Sequence, residues 1–349
     1  MSPPGSPHEG KQALKPKEIR TIYDLAELAG VSAATVSRAL AGKEVVNSGT
    51  AERVRKLAQE HGFQPSALAR NLRTRRTGAI GVVIPLGHER DQHISDPFFM
   101  TMIGCLADEL TERGFDLMLS RVIPDRDDWL ETIVRTARVD GLIIIGQSDQ
   151  SAVLNATARH YLPMVAWGTF SQGQEHCSVG SDNFLGGRLA MAHLIERGCR
   201  TVAFLGNTRA IEIAQRLEGA RAAVADSGVD VSLAEIPTHL AQELSGADIG
   251  AFLDKAEQIP DGIFAASDMI AFTTLQALVS RGLSVPDQVR VVGFDDLPIA
   301  RSTVPALTTI RQDVANGASQ MVDCLLKRID GRQTGSIVLN PELIVRASS

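Results

Sequence analysis

From Thr21 onward, apolar side chains recur at helical spacing, with Ile22, Leu25, Ala26 and Ala29 on one face. Thr21 and Asp24, three residues apart, form a capping-box variant that opens this helix, and Gly30 ends it as the residue that tolerates a left-handed turn. Ser32 can cap a second helix that turns Val36 and Leu40 inward; Asn47 can cap a third, with Val54, Leu57 and Ala58 inside and Gly62 after it. Two short helices joined by a glycine-containing turn, followed by a third, follow the helix-turn-helix plan.

After Pro65 the stretch "SALARNLRTRRTG" has a helix-compatible first half and an arginine-rich second half. It is too short and polar to be a stable helix alone, so it predicts a conditional hinge helix leading into a linker. From Ala79 the pattern changes. The runs "AIGVVIP", "FDLMLS", "GLIIIG", "MVAW", "TVAFLG", "GIFAAS" and "VRVVGF" are nearly continuous apolar stretches, as expected of parallel strands buried on both faces. Amphipathic helical patterns separate most of them, several closed by Arg-Gly as at Arg113-Gly114, Arg197-Gly198 and Arg281-Gly282. Repeated β-α-β units predict doubly wound parallel sheets, and a segment this long predicts two lobes with a cleft at the carboxyl ends of the strands.

Charge adds a division of labour. Residues 1–77 carry 13 Lys and Arg against 7 Asp and Glu, whereas the rest carries 22 against 34. A basic head on an acidic body fits a nucleic-acid-binding segment joined to a domain with other business. The four cysteines, Cys105, Cys177, Cys199 and Cys324, are widely spaced and suggest neither a zinc site nor a disulfide framework. The N-terminus lacks an apolar leader and no run has the length of a membrane span, so a cytoplasmic location is expected.

"TIYDLAELAGVSAATVSRALAG", followed by "VVNSGTAERVRKLAQEHGFQPSALARNLRT", resembles the DNA-binding head of the lactose-repressor (LacI/GalR) family of bacterial transcription regulators. The resemblance continues through "IGVVIP", "DPFF", "DGLIIIG", "SVGSDNFLGGRLAMAHLIERG", "RLEGARAAV", "ASDMIAFTTLQAL", "VVGFDDLPIA" and "PALTTIRQD". It implies a multidomain chain, with an all-α helix-turn-helix head and an α/β, two-lobed effector domain like the type I periplasmic binding proteins, built on parallel sheets. The expected divisions are a disordered extension at 1–17, the head at 18–63, hinge and linker at 64–78, and the effector-binding and dimerisation domain at 79–349. Within the last, the N-lobe is expected at about 79–169 plus 298–328 and the C-lobe at about 170–297 plus 329–349.

By the same resemblance Ala33, Ala34 and Arg38 occupy base-facing positions, and Ser32, Thr35 and Ser37 can reach phosphates by hydroxyl or by backbone N–H groups at the helix start. Arg38 is the one of these residues able to make a bidentate contact with guanine. The alanines can offer a methyl to thymine, or simply favour helix. Thr21, Tyr23 and Asn47 complete the head's expected DNA-binding set, and Ala69 and Leu72 that of the hinge, where Leu72 matches the leucine the family inserts into a base step.

In the body, Asp268 of "SDMIAF" and Arg216 of "RLEG" match a hydroxyl-binding pair, with Asp182 of "SDN" and Asp295 of "GFDD" as further candidates. Each Asp can alternatively cap a helix or loop. Phe98, Phe99 and Trp167 are candidate ring-stacking platforms, and Trp167 is as readily a core residue. The insert-like "LGHERDQHI" lengthens the segment before "DPFF", and Gly168 stands where many members carry a polar group, so the cleft is expected to be roomier or more apolar.

No nucleophile elbow, phosphate loop, dinucleotide fingerprint or metal-spaced cluster is present, so no enzymatic activity and no cofactor are expected. The expected molecule is a homodimeric repressor of carbohydrate-utilisation genes. It binds a near-palindromic double-stranded operator, responds to a mono- or disaccharide in the cleft, and has no membrane partner; it is nucleoid-associated when DNA-bound. The alternatives are a solute-binding protein or a sugar-acting enzyme sharing the body fold; the first would need a leader peptide and no basic head, the second a catalytic constellation.

Overall fold

The computed structural model describes residues 19, 21–40, 45–63, 76–87 and 89–349. The expected extension at 1–17 and residues 64–75 of the expected hinge and linker, including Ala69 and Leu72, lie outside them. The chain divides into two compact units, Met1–Thr77 and Gly78–Ser349.

In the first unit α1 (Ile22–Ala29), α2 (Ala33–Leu40) and α3 (Ser48–Glu60) enclose a small core of Leu25, Ala26, Ala29, Val36, Ala39, Ala51, Val54, Ala58 and Phe63. Thr21 and Asp24 form the complete reciprocal capping box, and Gly30 takes the left-handed conformation (φ 63°) that closes α1. Ser32 Oγ accepts the Thr35 N–H at 3.1 Å, and Asn47 Oδ1 accepts the Gly49 N–H at 3.0 Å. Ala39 takes the buried position expected of Leu40, which packs only partly inward.

The second unit holds two six-stranded sheets. The first contains β1 (Ala79–Pro85), β2 (Asp116–Val122), β3 (Gly141–Ile145), β4 (Met164–Trp167), β5 (Cys177–Ser181) and β11 (Ile337–Leu339), in the order β11-β5-β4-β3-β1-β2, all parallel. The second contains β6 (Thr201–Leu205), β7 (Ser232–Ile236), β8 (Gly262–Ala265), β9 (Arg290–Asp295), β10 (Thr308–Arg311) and β12 (Glu342–Ile344), in the order β12-β10-β9-β8-β6-β7. Only β12 runs antiparallel to its neighbour.

The chain passes between lobes at Asp182, at Gln312–Asp313 and at Asn340–Pro341. These points replace the expected divisions at 169/170, 297/298 and 328/329, and packing explains the shift. After β5, helix α7 (Asn183–Glu196) buries Ala190, Met191 and Leu194 in the core of the second lobe. Before β11, helix α11 (Val314–Ile329) buries Val314, Ala318, Met321, Val322 and Leu325 in the core of the first. β2 corrects a further expectation. It is an edge strand with alternating and exposed positions rather than one buried on both faces.

Candidate functional site: the head surface and the inter-lobe cleft

On α2 the exposed side chains are Ala34 and Arg38, one helical turn apart on the same face, with Ser32 exposed just before the helix. Ala33 is turned partly inward against the head core, because it lies three residues before Val36 on the buried stripe. Ser32 Oγ and Thr35 Oγ1 hydrogen-bond each other at 2.9 Å, so these hydroxyls are already engaged in capping. Ser37 is half-buried. Thr21 and Asn47 are exposed caps on α1 and α3, and Tyr23, 74% exposed, projects from the first turn of α1. The three exposed caps therefore sit at the three helix N-termini, where backbone N–H groups and the helix dipole favour anions.

The cleft of the body lies at the carboxyl ends of both sheets. From the first lobe, Asp96 caps α4 (Pro97–Glu112) by accepting the Phe98 N–H at 2.9 Å, and Pro97 opens the helix. This places Phe98 and Phe99 on the cavity wall, their rings edge-on at 6.0 Å. Trp167, at the end of β4, lies 6.4 Å from Phe98, and Gly317 on α11 makes room for it: a Cβ there would fall 2.2 Å from the indole. Trp167 is thus both core and wall.

From the second lobe, α8 (Ile211–Asp226) presents Glu212 and Arg216 one turn apart. Its approach to α7 depends on two glycines. A Cβ at Gly187 would lie 1.9 Å from the Arg216 carbonyl oxygen, and one at Gly219 would lie 1.9 Å from that of Phe184. The buried Arg216 donates from Nε to Asn183 at 2.8 Å and from Nη1 to the Ala266 carbonyl at 2.5 Å, and its guanidinium lies 3.6 Å over the Phe294 ring. Asp295 ends β9 at φ 121° and accepts from Gln312 Nε2 at 2.7 Å.

Gln92, from the inserted loop before α4, adds a polar wall group, as does Ser148 after β3. The empty space between these residues is ≈ 730 Å³, a figure that includes the open solvent at its mouth. The lobes are tied beside it by Gln147 N–H to Glu212 at 3.2 Å, by Leu240 N–H to Glu89 at 3.3 Å, and by Thr169 with Gln215.

Burial dominates the electrostatics. It raises the carboxyls of Asp96 and Glu212, and pushes Asp295 up to about 7 against the opposing pull of Arg216. Burial also lowers Arg216, while Asp295, Glu212 and Asp268 hold it up.

Two expected cleft residues are elsewhere. Asp268 is fully buried behind the wall: Oδ2 accepts the Leu297 N–H at 2.8 Å, and Oδ1 accepts the Thr309 hydroxyl at 2.5 Å. Its neighbours Ser267 and Met269 line the cavity instead, because Ser267 caps α10 (Asp268–Ser280) and the first turn then directs Asp268 toward the following strands. Asp182 caps α7 at the first crossing by accepting the Leu185 N–H at 2.8 Å, and does not line the cavity. Phe98, Phe99, Trp167, Arg216 and Asp295 do line it. Sequence reading missed Gln92, Asp96, Glu212 and Gln312. Glu212 was detectable as the residue one turn before Arg216, and Gln92 lies within the very insert that marked this segment as unusual.

A three-helix head with capped N-termini and an open outer face, joined to a two-lobed body with a polar and aromatic cleft, defines a ligand-responsive DNA-binding regulator. The comparisons agree. Residues 21–66 match the family model for bacterial regulatory proteins of the lacI family, and 191–349 match a periplasmic binding protein-like domain. The HTH-type transcriptional regulator CelR of Thermobifida fusca is 31% identical over 339 residues, covering 94% of this chain and 98% of that protein. The HTH-type transcriptional repressor PurR of Haemophilus influenzae is 28% identical over 340 residues, with the same coverages. Among solved structures, the lac repressor dimer bound to operator and the anti-inducer ONPF is similar at TM-score 0.80 and 26% identity, covering 94% of this chain and 98% of that one. A CelR–cellobiose complex is similar at TM-score 0.68 and 28% identity, covering 94% and 99%. The chain belongs to the lacI family of bacterial regulatory proteins.

Proposed function

We propose that this regulator represses carbohydrate-utilisation genes as a homodimer on a near-palindromic operator, and that a sugar held between the lobes controls its operator affinity. The observation that carries the sugar reading is the cleft itself. Aromatic walls from Phe98 and Trp167 face a polar set of Asp96, Glu212, Arg216, Asp295 and Gln312, the mixture of ring faces and planar hydrogen-bonding groups that suits a pyranose. A disaccharide or glucoside is favoured over a pentose, in line with the cellobiose in the similar CelR structure.

On DNA, Arg38 reads a base edge, Ala34 packs against the groove floor, and the capped starts of α1, α2 and α3 hold phosphates through Thr21, Ser32, Thr35 and Asn47. Tyr23, Ser37 and the partly inward Ala33 flank that surface. Two heads on one operator follow from the small contact set a single head provides, and the similar lac repressor is a dimer on its operator. Effector binding changes the angle between lobes and so the populations of DNA-competent and incompetent dimers.

The regulator works in the cytoplasm, nucleoid-associated when DNA-bound, and carries out no chemical step. Among the described residues no helix is long and apolar enough to cross a membrane, and no cluster suits a metal ion. Gel-shift titration against palindromic sites flanking the neighbouring genes, with a panel of sugars and purines, tests the proposal. A salt-sensitive, sequence-dependent shift altered by one sugar is expected; a shift altered only by a purine, or none at all, would refute it.

A further inference from the structure

Three carboxylates line the cleft beside one guanidinium. Asp96 stands on the first lobe and Glu212 and Asp295 on the second, while Arg216 is the one cation among the described lining residues. Arg216 is engaged locally, through Asn183, the Ala266 carbonyl and the Phe294 ring. Burial raises all three carboxyls, and the Asp96 charge adds to the push on Asp295 from across the cleft.

Hydrogen-bonding capacity is equally one-sided. Gln92 is 7% exposed, donates from Nε2 to Asp96 Oδ2 at 3.0 Å, and leaves its buried Oε1 with no hydrogen-bond partner among the described residues. A buried amide oxygen without a donor, beside carboxyl groups that only accept once a bound cation holds them ionised, calls for a donor-rich ligand.

We propose that the corner formed by Gln92, Asp96 and Asp295 is a subsite for a protonated amine, so that the effector is an amino sugar. This rests on the sugar reading of the cleft. An ammonium group offers three donors and no acceptor, which suits two carboxylates and one amide oxygen; a hydroxyl brings a single donor and no charge. The Phe98 and Trp167 ring faces add cation–π attraction. Because Asp96 and Asp295 belong to opposite lobes, the bound cation replaces repulsion across the cleft with attraction to both sides, so the ligand's charge itself draws the lobes together. Phosphorylated sugars are excluded by the same charges.

Calorimetric titration of the full chain near pH 7 compares three disaccharides: the β-1,4-linked glucosamine dimer, its fully N-acetylated form, and cellobiose. The glucosamine dimer is expected to bind at least about tenfold more tightly than the other two, as for one charge pair in a desolvated site. That ratio is expected to collapse in Asp96→Asn, whose amide keeps the helix cap, and in Asp295→Asn, with cooperative urea unfolding and wild-type circular dichroism showing that both variants are folded. Equal or tighter binding of cellobiose overturns the amine subsite while leaving the sugar reading intact. A preference that survives both substitutions overturns its placement at this corner. If no disaccharide binds, both readings fall.

Discussion

Replacing Asp268 by alanine separates a brace from a ligand contact. Its carboxylate accepts the Leu297 N–H and the Thr309 hydroxyl, and all three residues are buried. Alanine leaves both donors unpaired, at about 1–3 kcal/mol each, or roughly 2–6 kcal/mol together. Burial, with the Asp295 charge behind it, holds the Asp268 carboxyl well above its ordinary range, so removing a disfavoured charge offsets part of the loss and points to the lower half of that range. With a urea dependence of about 1–3 kcal/mol per molar, a loss of ~2 kcal/mol moves the unfolding midpoint down by about 0.7–2 M. Circular dichroism of wild type, Asp268→Ala and Asp268→Asn measures this, and the amide, which keeps one acceptor, is expected to lie between the other two. A wild-type midpoint in Asp268→Ala combined with lost effector binding would refute the brace and return Asp268 to the site.

Arg38→Ala is expected to reduce discrimination between the operator and a base-substituted copy by about 1–3 kcal/mol, read as the affinity ratio in competition gel shifts; an unchanged ratio would remove its base-reading role. Gly187→Ala drives a Cβ to 1.9 Å from the Arg216 carbonyl oxygen, and should lower stability by about 1–3 kcal/mol or more while weakening effector binding through the displaced arginine. Asp295 ionises near 7 when folded but near its ordinary 3.8 when unfolded, so its stabilising contribution is complete below about pH 4 and is lost as pH rises through about 7. The ligand-free urea midpoint should therefore carry a fall from about pH 4 to pH 7 that levels off above it, and Asp295→Asn should lack that fall; parallel profiles would contradict that assignment.

The helical head was legible because its signals are local: Thr21 with Asp24, Gly30, Ser32 and Asn47 each act within one turn of their own backbone. The central strands were legible as apolar runs. β5, β7 and β10 were not, because "CSVGS", "SLAEI" and "TTIR" carry polar side chains at buried or edge positions that only sheet neighbours explain. The lobe crossings fell 12 to 15 residues from the expected points for the same reason: which sheet a helix covers is a long-range choice, settled for α7 by Met191 and Leu194 and for α11 by Met321 and Leu325. In the cleft, motif position brought Arg216 and Asp295 to the wall, yet could not separate Asp268 from Ser267 and Met269. The difference is one of side-chain direction in the first turn of α10, set by contacts with Leu297 and Thr309 that lie 29 and 41 residues away.

The central claim is that the cleft and the head share one equilibrium, and thermodynamic linkage makes it measurable from both ends. Fluorescence anisotropy gives the operator dissociation constant with and without saturating effector, and calorimetry gives the effector dissociation constant with and without saturating operator. The two factors should agree, each in the range of about 5–150-fold that typifies such coupling. An operator affinity indifferent to a ligand shown to occupy the cleft would contradict the account.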